Sequence, residues 1–298
     1  MTDSIDIALV QQYSAEVHLA AQQKKSRLRG SKAVIERFVT GKDFYYDGLG
    51  DSEAIEVTTR HQDTIAQDIA HNRRRGTIRH FTHTFLLDKN DKLEVLIDPQ
   101  SEYAMATARA LYRQYDRLVI EAATAAVKTG RYGENTVSAA SDGVLTVVHG
   151  GVGLTFDKLL KVNENFGGNE IGGDEDEEFY TLISSQQNTN LMGEAKLTSR
   201  DYRDDYVISG GKMRRAAGHN FIHYGGLVSS PMLSKVSTTR TCLSLAERAI
   251  CMGIVADLEV DISRRPDKNN AIQVQATMYM NAIRTEGVRV QKLEATET

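Results

Sequence analysis

Cysteine, proline and tryptophan are nearly missing from this chain: its 298 residues include two Cys, three Pro and no Trp. The cysteines, Cys242 and Cys251, are nine positions apart, which excludes a disulfide scaffold and a four-cysteine zinc site. No apolar run approaches the roughly 18 residues that cross a bilayer, so no membrane partner is expected. The opening MTDSIDIALVQQ carries acids early and has no apolar signal core, so export is not expected. A dominant charge is lacking too. Lys plus Arg number 36 against 40 Asp plus Glu, a net charge of −4, which excludes coating of nucleic acid by bulk charge.

Catalytic motifs are equally scarce. The chain has no GxxxxGK[ST] phosphate loop and no GxSxG nucleophile elbow. The glycine-rich HGGVGLTF (149–156) lies between a strand and a helix, where phosphate loops lie, but lacks the third glycine of GxGxxG and reads as a structural turn. HNFIH (219–223) lacks the glutamate of HExxH and reads as strand. His80 and His83, three apart in a strand, face opposite sides. Eight acids and no Lys or Arg fall between Val162 and Ala195, centred on DEDEE. Contiguous acids suit a solvated loop, whereas a calcium loop needs them alternating around a glycine. The cysteines sit in an apolar stretch and read as packing residues. Asp98, Glu102 and Asp116 offer no paired-carboxylate geometry. No catalytic, cofactor-binding or metal-ligating residue is assigned.

What is present is length, pattern and local charge. At 41% hydrophobic and 26% charged residues, the composition is that of a globular protein, long enough for one large domain or two intimate subdomains. Residues 3–23 carry Ile5, Leu9, Tyr13, Val17 and Ala20 at helical spacing. Residues 24–37 then hold six basic residues and one acid, as an arm does. EVTTRHQDT (56–64) and TIRHFTHTFLL (77–87) are β-prone. DIAHNRRRG between them, with Arg73, Arg74 and Arg75 before Gly76, predicts a basic tip joining two strands of a projecting hairpin. The strongest helix spans 101–127, with Ala108, Leu111, Tyr112, Tyr115, Val119, Ala122 and Ala126 on one face. A second helix covers 154–166, capped by Thr155. Strands are expected at 144–148, 179–185 and 218–224, a short helix at 186–195, and a helix-like apolar stretch at 243–252. Beyond it come a strand over 254–262, a turn at SRRPDKNN (263–270), a cleanly alternating strand over 272–283, and a last strand opened by Val288 and Val290 after Gly287. The class is α+β.

Several stretches in order, QYSAEVHLAAQQKKSRLRG (12–30), EVTTRHQDT (56–64), LIDPQSEYAMATARALYRQYDRLVIEAATAAVKTGRYGE (96–134), GHNFIH (218–223) and ADLEVDISRRPDKNNAIQVQATMYMNAIRTEGVRVQKLE (256–294), resemble the major capsid proteins of tailed bacteriophages. The resemblance runs from near residue 10 to near residue 294 and implies the Hong Kong 97-type capsid fold. In that fold residues 1–40 would be the N-terminal arm and 41–95 the extended loop. Residues 96–149 and 241–298 would form the peripheral domain, with spine helix 101–127, and 150–240 the axial domain. Such subunits form pentamers and hexamers that tile an icosahedral shell around double-stranded DNA without reading its sequence. The implied partners are other copies of the chain, a portal protein, a separate scaffolding protein and a cement or decoration protein. The implied place is the virion head, assembled in the host cytoplasm. Arg27, Arg29, Arg60, Arg73, Arg74 and Arg75 are the expected assembly-interface residues, the last three set against acids of a neighbouring copy. No cofactor and no enzymatic activity are expected. The alternative on the same fold is an encapsulin-like compartment, which packages enzymes instead of DNA.

Overall fold

The computed structural model of the chain describes residues 22–60, 63, 66–87, 100–172, 177–194, 208, 209, 211–226 and 231–297. It opens with strands β1 (Val34–Phe38), β2 (Asp43–Leu49), β3 (His71–Thr77) and β4 (Arg79–Leu87), then helix α1 (Gln100–Thr124). Strands β5 (Val127–Thr129), β6 (Asn135–Val137) and β7 (Leu145–Val147) lead to helix α2 (Phe156–Gly167), β8 (Phe179–Ser184) and helix α3 (Ser185–Met192). Short strands β9 (Ile208–Ser209), β10 (Lys212–Met213) and β11 (Arg215–Ala216) precede β12 (His219–Tyr224), β13 (Lys235–Val236) and β14 (Thr239–Leu245). The chain ends with β15 (Ile250–Arg265), β16 (Ala271–Arg284) and β17 (Val290–Thr296). The class is α+β, as expected. Two compact units result: 1–26, 79–115 and 256–280 in one, and 27–78, 116–255 and 281–298 in the other.

In the first unit, β16 pairs antiparallel with β4 from Ile272↔Leu87 to Met280↔Arg79. The alternation that predicts this strand also sorts its faces: Val274, Ala276, Met278 and Met280 are buried, and Tyr279 is exposed. On the polar face Tyr279 stacks on His80 with ring centroids 4.3 Å apart. Phe85 of β4 stacks on Tyr103 of α1 at the same separation. The turn expected after β15 is a 3-10 turn, Pro266–Lys268, followed by Asn269 and Asn270 at φ 50° and 56°, a region asparagine tolerates.

The second unit is built on a seven-stranded sheet, counted among the described residues, in the order β11-β12-β8-β14-β17-β7, with β13 paired to β14. Leu182, Ile183, Leu243, Leu245 and Leu293 are buried in it. Of the apolar residues expected to form its stripe, Phe156, Leu159, Leu160 and Val162, helix α2 buries Leu159 and Val162 and adds Phe166, while Leu160 is exposed; Thr155 stands at its N-cap in extended conformation. A four-stranded sheet of the same unit runs β2-β3-β5-β6. Strand β1 lies parallel to β15, Val34 opposite Ile250 through Phe38 opposite Ile254. Leu28 and Ala33 are wholly buried, and residues from Arg27 onward belong to this unit.

Four expectations change. The basic triad is no tip: β3 contains Arg73–Arg75 and pairs antiparallel with β2, Asp43 opposite Thr77 through Leu49 opposite His71. Gly76 misleads because it looks like a turn residue, yet a side chain there would overlap the ring of Phe44 and Ile283, so it serves close packing. No strand is assigned to the described residues of 56–64. The apolar stretch 243–252 is the end of β14, a turn at Glu247 and Arg248, and the start of β15. Strands buried on both faces read as unbroken apolar runs and imitate a helix. Helix α1 ends at Thr124, since Val127 already belongs to β5. The helix expected over 3–23 lies outside the described residues except Gln22 and Gln23, which carry no regular structure.

Candidate assembly interface

Strand geometry splits the arginine run. Successive side chains point to opposite faces, so Arg73 and Arg75 share one side of the sheet and Arg74 takes the other. Arg73 Nε donates to Asp47 Oδ1 at 2.5 Å, and the guanidinium lies over the Tyr45 ring. Arg75 Nη2 donates to Asp43 Oδ2 at 2.9 Å and Nη1 to the Tyr132 carbonyl at 3.0 Å. The bond from Arg73 holds the Asp47 carboxyl below the usual carboxylate range; bonds from Thr77 and Arg75 do the same for Asp43. The Arg73–Asp47 pair is open to solvent and adds little to stability, whereas the Arg75–Asp43 pair is half-buried. Beside them lies a groove of about 550 Å³ lined by Asp47, Gly48, His71, Asn72, Arg73, Thr129, Gly130 and Arg131.

Arg74 is 3% exposed, and its fork sits on Asp142, Nη2 to Oδ1 at 2.7 Å and Nη1 to Oδ2 at 2.8 Å. The same carboxylate accepts from Arg284 Nε at 2.7 Å. Arg284 Nη1 reaches the carbonyls of Ala122, Ala123 and Ala125 at 3.0–3.3 Å, and so covers carbonyls that the end of α1 leaves without intrahelical partners. Sequence reasoning missed Asp142 and Arg284. The available signal was positional: Arg284 continues the buried row Met278, Met280, Ala282.

The other expected interface arginines are dispersed. The Arg27 guanidinium lies over the Tyr224 ring, and the Arg27 and Leu28 amides donate to Asp116, which also accepts from the Tyr224 hydroxyl at 3.0 Å. Arg29 pairs with Glu36 at 3.3 Å. Arg60 is exposed in the segment between β2 and β3.

The sites weighed for chemistry have structural occupations. The loop 149–153 turns carbonyls inward: Lys158 Nζ donates to the carbonyls of His149, Val152, Gly153 and Glu294 at 2.8–3.0 Å. A loop that solvates a cation with carbonyls is the reverse of a phosphate cradle. His219 is wholly buried between the Thr181 hydroxyl, 2.9 Å from Nδ1, and Ser244, and burial pulls its pKa down to about 4. Burial pushes the Cys242 thiol up to about 12 and Cys251 to about 11, so neither is a thiolate at neutral pH. Glu178 accepts from the Tyr180 hydroxyl and from Asn220, and Glu177 lies 3.7 Å from Arg289; residues 173–176 of the acidic block lie outside the described residues. Among the described residues no three His, Cys, Asp or Glu are grouped to hold a metal ion, and no helix is long and apolar enough to cross a membrane.

A paired β2–β3 hairpin, a long helix and a charge-paired sheet face do not by themselves name a family. The family described as phage capsid protein matches residues 5–297. The chain belongs to the phage capsid protein family. Solved structures agree on the fold. The capsid of cyanophage P-SCSP1u aligns with a TM-score of 0.71 at 12% identity, covering 99% of this chain and 95% of that one. The capsid of cyanophage Pam1 gives 0.71 at 11% identity and covers 98% of both chains. The acid-stable capsid of Helicobacter pylori bacteriophage KHP30 gives 0.70 at 12%, covering 99% and 98%. No curated protein matches the chain. The capsid protein therefore has the Hong Kong 97-like fold, and it is a structural protein of the virion whose copies assemble into the shell.

Proposed function

We propose that this capsid protein is the major subunit of an icosahedral head, arranged as pentamers and hexamers around the double-stranded DNA of a tailed phage, and that it performs no catalysis. The observation that carries this reading is a chain-long family match joined to a segment, residues 50–60, that is exposed throughout within its own chain. Residues 1–40 serve as the arm, 41–95 as the extended loop, 96–149 and 241–298 as the peripheral domain, and 150–240 as the axial domain. The seven-stranded sheet draws β7 and β17 from beyond 150–240 and β14 from across its end, so the last two parts share strands. Portal, a separate scaffolding protein and a cement protein are the further partners, and assembly takes place in the host cytoplasm.

Arg60, Arg73 and Arg75 are solvent-side groups of the hairpin that meet neighbouring copies, with Arg27 and Arg29 at the root of the arm. Arg74 acts inside its own chain. The exposed Arg73–Asp47 pair keeps its charges available, because exposed pairs exchange partners at small cost, and charge complementarity sets register and encounter rate. Sedimentation velocity and negative-stain microscopy of the purified protein test the shell reading. Closed shells are expected; a uniform monomer or dimer at high concentration would contradict it.

A further inference from the structure

Asp142 sits where two guanidiniums converge, and the balance of charge there is uneven. The side chains of Arg74, Asp142 and Arg284 are 4%, 8% and 0% exposed, so two cations share one anion away from water. Arg74 Nε and Arg284 Nη2 are buried with no hydrogen-bond partner among the described residues. A subunit selected only for stability needs Asp142 and Arg284 alone: that pair is neutral and already secures the end of α1. The second arginine adds a buried like charge and an unsatisfied donor, both unfavourable. Burial and the neighbouring Arg74 charge both draw protons away from Arg284, which fits a site with one cation too many.

What Arg74 adds is orientation. Its bidentate fork fixes a plane as well as a distance, and it joins β3 to a carboxylate held firmly from the far side. Gly287 has no room for a side chain against the Asp142 backbone, and Gly143, at φ 95°, closes the turn that carries Asp142. We propose that Arg74 is a positioning residue for assembly: its fork on Asp142 fixes the direction in which the hairpin of β2 and β3 leaves its unit, and subunit stability does not require it. The proposal rests on the shell reading, since alignment matters where many copies must close on one another.

Two measurements test it. Spin labels at Leu49→Cys and Lys161→Cys report the hairpin against α2 in the dissociated subunit, the buried native cysteines staying unlabelled. Arg74→Met should broaden the distance distribution about twofold or more and leave the melting temperature equal or raised, since removing the fork frees the strand and the surplus charge together. Arg74→Lys should also broaden it, because a point charge does not set a plane. In assembly, Arg74→Met should yield about tenfold fewer closed shells, the effect of one contact misaligned by a factor of ten in affinity. An unchanged distance distribution, wild-type shells from Arg74→Met, or a melting temperature that falls as far as that of Asp142→Asn would each overturn the proposal. If the wild-type protein forms no shells, the shell reading fails on its own, and the distance measurement still decides what Arg74 does.

Discussion

In the seven-stranded sheet Glu297 meets a single arginine, Arg240, whose fork closes on it at 2.6–3.1 Å, with Ser184, Gln187 and Lys235 completing its partners. Arg240 spends its remaining donors on the carbonyls of Leu233 and Gly226. At the base of the hairpin, Asp142 meets two arginines and leaves donors over. The central strands of the sheet bury their aliphatic side chains within one chain, Leu182, Ile183, Leu243, Leu245 and Leu293 among them, and Arg240 and Glu297 pair there. The hairpin is incomplete: its apolar contact is the small cluster Phe44, Cys251 and Ile283, and beyond β2 the chain exposes Ile55 and Val57, the latter by 72%. A segment that buries so little cannot offset the entropy of being ordered. On the proposed reading, one region folds the subunit and the other joins subunits.

The contrast can be broken at its charged sites first. Asp142→Asn leaves two buried guanidiniums without a carboxylate and should cost the dissociated subunit about 3–5 kcal/mol in urea unfolding. A loss under about 1 kcal/mol, the range of exposed pairs, would make the site an ordinary surface contact. Next comes the sheet core: Leu182→Ala should cost about 2–5 kcal/mol by the same measurement, from lost burial and the cavity left behind.

Acid separates the sheet's two buried titrating groups. Burial alone takes His219 from its ordinary 6.5 down to about 4, so its folded form holds fewer protons than the unfolded chain, and stability falls between about pH 6.5 and 4. Burial opposes ionisation of Glu297, but the bonds from Arg240, Ser184 and Lys235 outweigh it and hold its pKa near 2, so its contribution is present above about pH 4.5 and is lost as pH falls toward 2. His219→Gln should therefore flatten the upper part of the acid unfolding curve followed by circular dichroism, and Glu297→Gln the lower part. The same slope in both variants as in wild type would show that neither group drives acid unfolding.

The smallest effects on the subunit should be the largest on the shell. Arg73→Glu should change subunit stability by about 1 kcal/mol or less, since its pair with Asp47 is exposed, and should abolish shells seen in negative stain. Val57→Ser should move subunit stability within about 0.5 kcal/mol and lower the yield of shells. Normal shells from both variants would remove the hairpin from the interface.

Regular periodicity made much of the fold legible. Val274, Ala276 and Met278 marked β16, Leu159 and Val162 marked α2, and the asparagines before β16 marked its turn. The sequence misled where one chain carries two meanings. Residues 243–252 lost their period because β14 and β15 are buried on both faces. Residues 56–60 have the composition of a strand and no strand assigned in the chain, so propensity pointed at an element that folding alone does not form. At the candidate interface the arginines were visible as a run, but their division by strand alternation was hidden until the pairing of β2 with β3 was known. Asp142 belongs to a turn 68 positions beyond Arg74 in the chain, and no local pattern connects them.

Hydrogen exchange on dissociated subunits and on assembled shells, compared residue by residue, tests the division most directly. Amides of 50–60 should exchange freely in the subunit and become protected in the shell, while those of β8, β14 and β17 stay protected in both. Equal protection of 50–60 in both states would contradict the division, because the hairpin would then gain nothing from its neighbours.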